Sequence, residues 1–380
     1  MHIVIAPDSF KESLSAWQVA QAIAAGFAEV FADARYTLLP MADGGEGTVD
    51  AFVVATGGQR VEVSVTGPLG TPVKAFYGLT GDGHTAVIEM AAASGLALVP
   101  AAARNPLLTT TRGTGELIMA ALDAGARHLV IGLGGSATND GGVGMAQALG
   151  LRCVDAAGAE IGPGGGALAA LAQLDAAGLD TRLARCRIEV ACDVDNPLTG
   201  PQGASAVFGP QKGATPAMVA RLDECLGRLA ICLKQGLGKD VADVPGAGAA
   251  GGMGAMMLAL GGQLRPGVQI VADVLRLDEA IRDADLVITG EGRMDSQSLR
   301  GKTPVGVAQV ARRHGKPVIA LNGSLTASSD ELQRAGLDAA FSVLHEPGDL
   351  AQALSQAAPN VRRAARNVAA TLQLAQQLKP

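Results

Sequence analysis

Leu286-Val-Ile-Thr289, a loop over 290–302, a helix opened by Thr303-Pro304 and closed by His314-Gly315, and Pro317-Val-Ile-Ala-Leu321 make the run whose reading decides the fold. Two short apolar segments rich in β-branched residues, separated by a capped helix, read as buried parallel strands joined by a crossover. Pro304 suits the first helical position and Thr303 the cap before it. The alternation continues towards the C-terminus. Ser328 with Glu331 caps another helix, Ala340-Phe-Ser-Val343 reads as a strand, and a helix of Ala, Gln and Leu closes the chain. The N-terminal end has the same character. Ile3-Val-Ile5 is a strand, and Ser15 with Gln18 is a capping box. Trp17, Ala20, Ile23, Ala24, Phe27, Val30 and Phe31 recur at helical spacing, and Tyr36-Thr-Leu-Leu39 is the next strand. Strands alternating with helices at both ends predict a parallel sheet with helices on both faces.

The middle of the chain differs. Arg60-Val-Glu-Val-Ser-Val65 alternates, and Val73-Lys-Ala-Phe-Tyr77 and Thr85-Ala-Val-Ile-Glu89 follow between Gly and Pro turns, so antiparallel strands are expected. A helix over 216–237 carries Leu222, Leu226, Leu229 and Leu233 on one stripe. The expected fold class is α/β. A discontinuous Rossmann- or flavodoxin-like parallel-sheet domain takes residues 1–60 and 275–380, and a second α/β domain with a mixed sheet is inserted over 61–274. Residues 109–145 share the strand–helix character of the first domain and are a candidate part of it.

The chain has 380 residues, 48% of them hydrophobic and 17% charged, which is globular composition and long enough for two cores. Its 51 glycines are roughly twice average usage and point to tight turns and backbone-lined sites. Net charge is −6 without a basic block, which argues against a nucleic-acid partner. Five cysteines without metal spacing read as reduced. Neither a signal-peptide core nor a membrane-length apolar run appears, so a cytoplasmic protein without a membrane partner is expected.

Chemistry concentrates in glycine-rich and acidic loops. Gly132-Leu-Gly-Gly-Ser-Ala-Thr-Asn-Asp-Gly-Gly142 lies between the apolar run Leu129-Val-Ile131 and a helix start at Val143, the layout of an anion site. Gly132-x-Gly134-x-x-Ala137 with Asp155 also matches a dinucleotide fingerprint in outline, although residues 138–142 are polar where that fold needs a packing face. Gly246-x-Gly248-x-x-Gly251 reads as a bend or a close backbone contact. Gly301-Lys302-Thr303 resembles the end of a phosphate loop, but Ser296 stands where that motif needs its first glycine. Lys302 at a helix start still suits a phosphate. Asp8, Asp43, Glu46, Asp193, Asp195, Glu291 and Asp295 follow apolar strands, positions that border the ligand crevice of an open α/β sheet. Carboxylates there suit Mg²⁺ shared with phosphates. No Gly-x-Ser-x-Gly elbow or His-x-x-x-His pair is present, so phosphoryl transfer fits better than hydrolase or zinc chemistry.

Ile-Ala-Pro-Asp-Ser-Phe-Lys-Glu-Ser over 5–13, Pro-Met-Ala-Asp-Gly-Gly-Glu-Gly-Thr over 40–48, the glycine stretch over 132–142, Cys-Asp-Val-Asp-Asn-Pro-Leu over 192–198 and Thr-Gly-Glu-Gly-Arg-Met-Asp over 289–295 together resemble the bacterial glycerate kinase family, type-1 group. The resemblance spans essentially the whole chain. It implies ATP-dependent phosphorylation of D-glycerate, usually to 2-phosphoglycerate, feeding glyoxylate, glycolate or sugar-diacid catabolism into glycolysis. ATP and Mg²⁺ are the expected cofactors, the site is expected in a cleft between two domains that close, and a monomer or homodimer is expected. Residue type and strand-end position suggest the roles. Asp8, Asp193 and Asp295 are candidates for Mg²⁺ binding or for the general base, Asp193 and Asp295 foremost for the metal, Lys11 for phosphate or the glycerate carboxylate, and Arg293 for charge on the transferred group. Asp43, Glu46, Glu291 and Lys302 are candidates for substrate, and Gly134, Gly135, Ser136, Asn139 and Asp140 for the nucleotide phosphates. A nicotinamide-dependent hydroxy-acid dehydrogenase and a non-catalytic sensor of small acids are the alternatives.

Overall fold

The structure, a computed structural model, describes residues 1–296, 298–346 and 348–378. The chain divides into two compact units, one of residues 1–43, 50–56 and 268–378, the other of residues 44–49 and 57–267. Residues 109–145 belong to the second unit.

The first unit is built on a five-stranded parallel sheet in the spatial order Ala339–Ser342, Val318–Asn322, Leu286–Thr289, His2–Ile5, Arg35–Leu38. His2–Ile5 and Leu286–Thr289 are buried along their whole length, as the unbroken apolar runs require of central parallel strands. Alternate residues point to opposite faces. Ile3, Ile5, Leu286, Ile288, Ile319 and Leu321 pack under the helices Ala16–Ala28 and Ala357–Gln377, with Val19, Ile23, Phe27, Val361 and Val368 completing that core. Phe27 is fully buried, which contributes about 1.5–3 kcal/mol relative to exposure. The helix Thr303–Arg313 contacts the sheet strands Leu286–Thr289 and Val318–Asn322. Both expected capping boxes form, Ser15 with Gln18 and Ser328 with Glu331.

The second unit holds a six-stranded sheet in the order Gln263–Arg265, Arg187–Ala191, His128–Gly132, Thr85–Glu89, Pro72–Leu79, Gln59–Thr66. The first four strands run parallel, and Pro72–Leu79 and Gln59–Thr66 close the sheet antiparallel. Leu222, Leu226, Leu229 and Leu233 bury one stripe of the helix Pro216–Leu237. The fold is thus α/β, with a discontinuous parallel-sheet unit and an inserted mixed-sheet unit. Among the described residues, no helix is long and apolar enough to cross a membrane.

Candidate active site

Numbered along the chain, the strands of the first sheet lie in the order 2-1-3-4-5. In that order the chain leaves the first and third strands towards opposite sides, which opens a crevice at their C-terminal ends. Asp8 follows the first of these strands and Glu291 the third. Their loops touch, since the Asp8 N–H donates to the Gly290 carbonyl at 2.8 Å. Gly290 has to be glycine there, because a Cβ would collide with the Leu321 carbonyl.

Asp8 Oδ2 accepts from the Thr303 hydroxyl at 2.5 Å, and Oδ1 accepts from the Ser9 N–H at 2.6 Å. Burial, reinforced by the Asp43 carboxylate, pushes the Asp8 carboxyl up to about 6. Glu291 is only 7% exposed. Burial pushes its carboxyl up to about 7; the Ser298 hydroxyl and Lys302 oppose the shift, and Asp8 and Asp295 add to it. Glu291 Oε1 has no hydrogen-bond partner among the described residues. Asn322, which ends the neighbouring strand, is wholly buried. Its Oδ1 accepts the Glu291 N–H at 3.3 Å, and its Nδ2 lacks a partner among the described residues. Two carboxyl groups poised near neutrality on one sheet edge are suited to take a proton from a hydroxyl.

The other predicted residues of this unit group around that pair. Asp43 is half-buried beyond the strand Arg35–Leu38. Lys11 is exposed, yet its charge lowers the Asp8 carboxyl. Arg293 is exposed and pairs with Asp295 Oδ2 at 3.1 Å. Thr303, expected as a cap, is instead the first helical residue, and Lys302 occupies the cap without a side-chain bond to the helix. The Thr303 hydroxyl points at Asp8 rather than at its own helix.

In the second unit the glycine stretch follows the central strand His128–Gly132. Gly134 and Gly135 are exposed, Ser136 is 8% exposed, and Thr138, Asn139 and Asp140 are buried. The buried part is held on every side. The Thr109 hydroxyl donates to the Ala137 carbonyl at 2.9 Å, the Asn139 amide to Ser205 Oγ at 3.0 Å, and the Gly141 N–H to the Gly251 carbonyl at 3.0 Å. Gly246-x-Gly248-x-x-Gly251 is therefore a close backbone contact. Asp140 accepts from the Thr111 N–H and hydroxyl, both at 2.8 Å, and from the N–H groups of Gly142 and Gly144 at 3.2 and 3.3 Å. The expected anion site at the helix start is thus filled from within: the helix Val143–Ala148 is six residues long and its N-terminal N–H groups are met by Asp140. What the stretch offers outward is its Gly134, Gly135 and Ser136 portion. Glu46 and Asp193 are exposed in this unit, and Asp193 Oδ1 accepts the Gly267 N–H at 3.1 Å.

The dinucleotide reading fails on topology. Asp155 follows Arg152–Val154, a three-residue strand that pairs antiparallel with Gln173–Asp175 and not with the parallel sheet. The Asp155 side chain accepts from the N–H groups of Ala157 and Ala159, so it closes a turn. The βαβ unit which that motif requires is absent here.

Three residues of note escaped the sequence reading. Asn322 could have been found, since it ends an apolar strand like the acidic residues. Thr303 was visible only as a cap. Lys212 is 2% exposed, and its ammonium donates to Ser136 Oγ at 2.8 Å and to the Thr138 carbonyl at 2.7 Å. It lies in a glycine-flanked turn without periodicity, and nothing local marks it.

A family model described as the glycerate kinase family matches residues 3–373. The glycerate 2-kinase of Escherichia coli (strain K12) is 59% identical over 373 residues, covering 98% of each chain. The glycerate kinase of Bacillus subtilis (strain 168) is 57% identical over 379 residues, covering 100% of this chain and 99% of its own. A solved structure from Salmonella typhimurium LT2, assigned there as a glycerate kinase 2, superposes with a TM-score of 0.93 at 61% identity and covers 100% of both chains.

Proposed function

The chain belongs to the glycerate kinase family, and from that premise we propose that it transfers the terminal phosphoryl group of ATP to the 2-hydroxyl of D-glycerate. It is a glycerate kinase, a phosphotransferase with an alcohol acceptor. The observation that carries this reading is full-length identity above one half to enzymes of that name. The preference for 2-phosphoglycerate takes its support from the relative named glycerate 2-kinase, and the product would pass from glycolate-type and sugar-diacid catabolism into glycolysis. The proposal puts the reaction in the cytoplasm; five free cysteines suit a reducing compartment.

Asp8 is the residue we assign as general base. Its carboxyl near 6 is ionised at neutral pH, and the Thr303 hydroxyl holds one oxygen so that the carboxyl keeps one orientation. Glu291 and Asn322 offer an acceptor and a donor, the complement of a substrate hydroxyl, and Asp43 lies near Asp8. Lys11 and Lys302 supply positive charge for the carboxylate or phosphate, as Arg293 does for the transferred group. Gly134, Gly135 and Ser136 would receive nucleotide phosphates, while Asn139 and Asp140 fix the buried end of the same stretch through Ser205 and Thr111.

The donor set fits Mg²⁺. Asp193 and Asp295 are hard oxygen donors, and among the described residues no three His, Cys, Asp or Glu side chains converge into a protein cage. A cation held by one carboxylate and by phosphates needs none. When bound, Mg²⁺ neutralises charge on the phosphates. Asp8→Asn is expected to lower kcat by roughly 10²-fold or more while the fold is kept. Unchanged turnover in Asp8→Asn, Asp193→Asn and Asp295→Asn alike would remove the base from this account.

A further inference from the structure

Lys212 sits in the short turn Pro210–Lys212 with its ammonium enclosed. It makes no ion pair among the described residues. The Asp140 carboxylate sends negative charge towards it, but the oxygens of Asp140 are engaged by Thr111, Gly142 and Gly144. Burial lowers the ammonium to about 7. A cation enclosed without a direct ion pair is costly, and an apolar side chain of similar length would fill the space at lower cost. The feature that makes sense of it is the group it touches.

In its charged form, which the nearby Asp140 carboxylate favours, Lys212 can only donate. In the 2.8 Å bond to Ser136 the serine oxygen is therefore the acceptor, and the hydroxyl hydrogen is left to be donated elsewhere. Ser136 has no other side-chain partner among the described residues, and it adjoins the exposed Gly134 and Gly135. The second Lys212 bond, to the Thr138 carbonyl, keeps that acceptor turned inward, away from the exposed portion. Both bonds act in one sense, since they leave the serine hydrogen free to donate, withdraw an acceptor and place a positive charge behind.

We infer that Lys212 is a positioning residue for the phosphoryl transfer, which sets Ser136 as a donor to an anionic group seated at Gly134 and Gly135. That group is a phosphate of ATP or the carboxylate of the acid, and it would complete the charge balance of the buried ammonium. The inference rests on the kinase reading above.

The test is steady-state kinetics of Lys212→Met, Lys212→Arg and Ser136→Ala with ATP and D-glycerate each varied, alongside thermal melts. Loss of one charge-assisted bond is expected to raise one KM by about ten-fold or more in Lys212→Met and Ser136→Ala, with the other KM within about two-fold. Lys212→Arg, which keeps the charge and the donors, should recover part of the loss. A raised KM for ATP identifies a phosphate, and a raised KM for D-glycerate identifies the carboxylate. Ser136→Ala removes one oxygen and decides the matter even if Lys212→Met fails to fold. If both KM values stay within about two-fold of wild type in Ser136→Ala, the inference is overturned, and a lowered melting temperature alone would show a structural lysine. A wild-type protein inactive with ATP and D-glycerate would overturn the kinase reading instead.

Discussion

Glu291 takes up a proton on folding. Its carboxyl stands near 7 in the folded chain against 4.5 for the unperturbed group, so between those values the folded state binds more protons than the unfolded state. That difference makes stability fall as pH rises from about 4.5 to 7 and then level off. Glu291→Gln keeps the shape of the protonated form and removes the burden. The melting temperature of this variant should match wild type at pH 4.5, exceed it by a growing margin up to pH 7, and keep that margin at pH 8. A variant less stable than wild type at pH 8 would show that the ionised carboxylate is stabilised rather than strained by its site. Asp8 has the same sign over a lower window, 3.8 to about 6, and only its ionised form can accept a proton. If Asp8 is the base, kcat/KM should rise as pH passes through about 6.

The glycine bend is an element shaped by its surroundings. Gly251 has φ +69° inside the helix Ala249–Ala259, and a Cβ there would meet the Thr138 carbonyl. Gly261 has φ +92° with open space around it. Alanine at Gly261 costs backbone strain alone, about 1 kcal/mol. Alanine at Gly251 adds displacement of residues 138–141 and should cost about 2–4 kcal/mol in urea denaturation, with a weakened anion site as a consequence. Equal losses in the two variants would mean that the bend yields freely. The bend's strand and glycines were legible because strand runs and turn residues are local signals. Its braces were not. Thr109 with Thr111, then Ser205, Lys212 and Gly251, arrive from four separate places in the sequence, and only the packed fold brings them together. The same limit explains Asp140, which reads locally as a ligand residue and in three dimensions closes a helix start.

At the scale of the molecule, alternation at both ends of the chain was enough to foresee a parallel sheet. The spatial order of its strands was not legible, because neighbours are chosen by packing rather than by sequence proximity. That order sets Asp8 and Glu291 at the point where the chain diverges. The 211 residues from 57 to 267 enter between the second and third strands of that sheet without disturbing its register. The identity of the reaction comes from the match over residues 3–373, and the roles proposed for Asp8, Glu291 and Asn322 rest on their place at the crevice of that sheet. The most direct test of that claim is ADP release by the purified protein with ATP, Mg²⁺ and D-glycerate, with the product read by phosphorus NMR. The account predicts ADP formation that depends on D-glycerate, and one new phosphate monoester split by the single proton on C2. ADP release indifferent to D-glycerate, or a product phosphorylated on the terminal carbon, would contradict it.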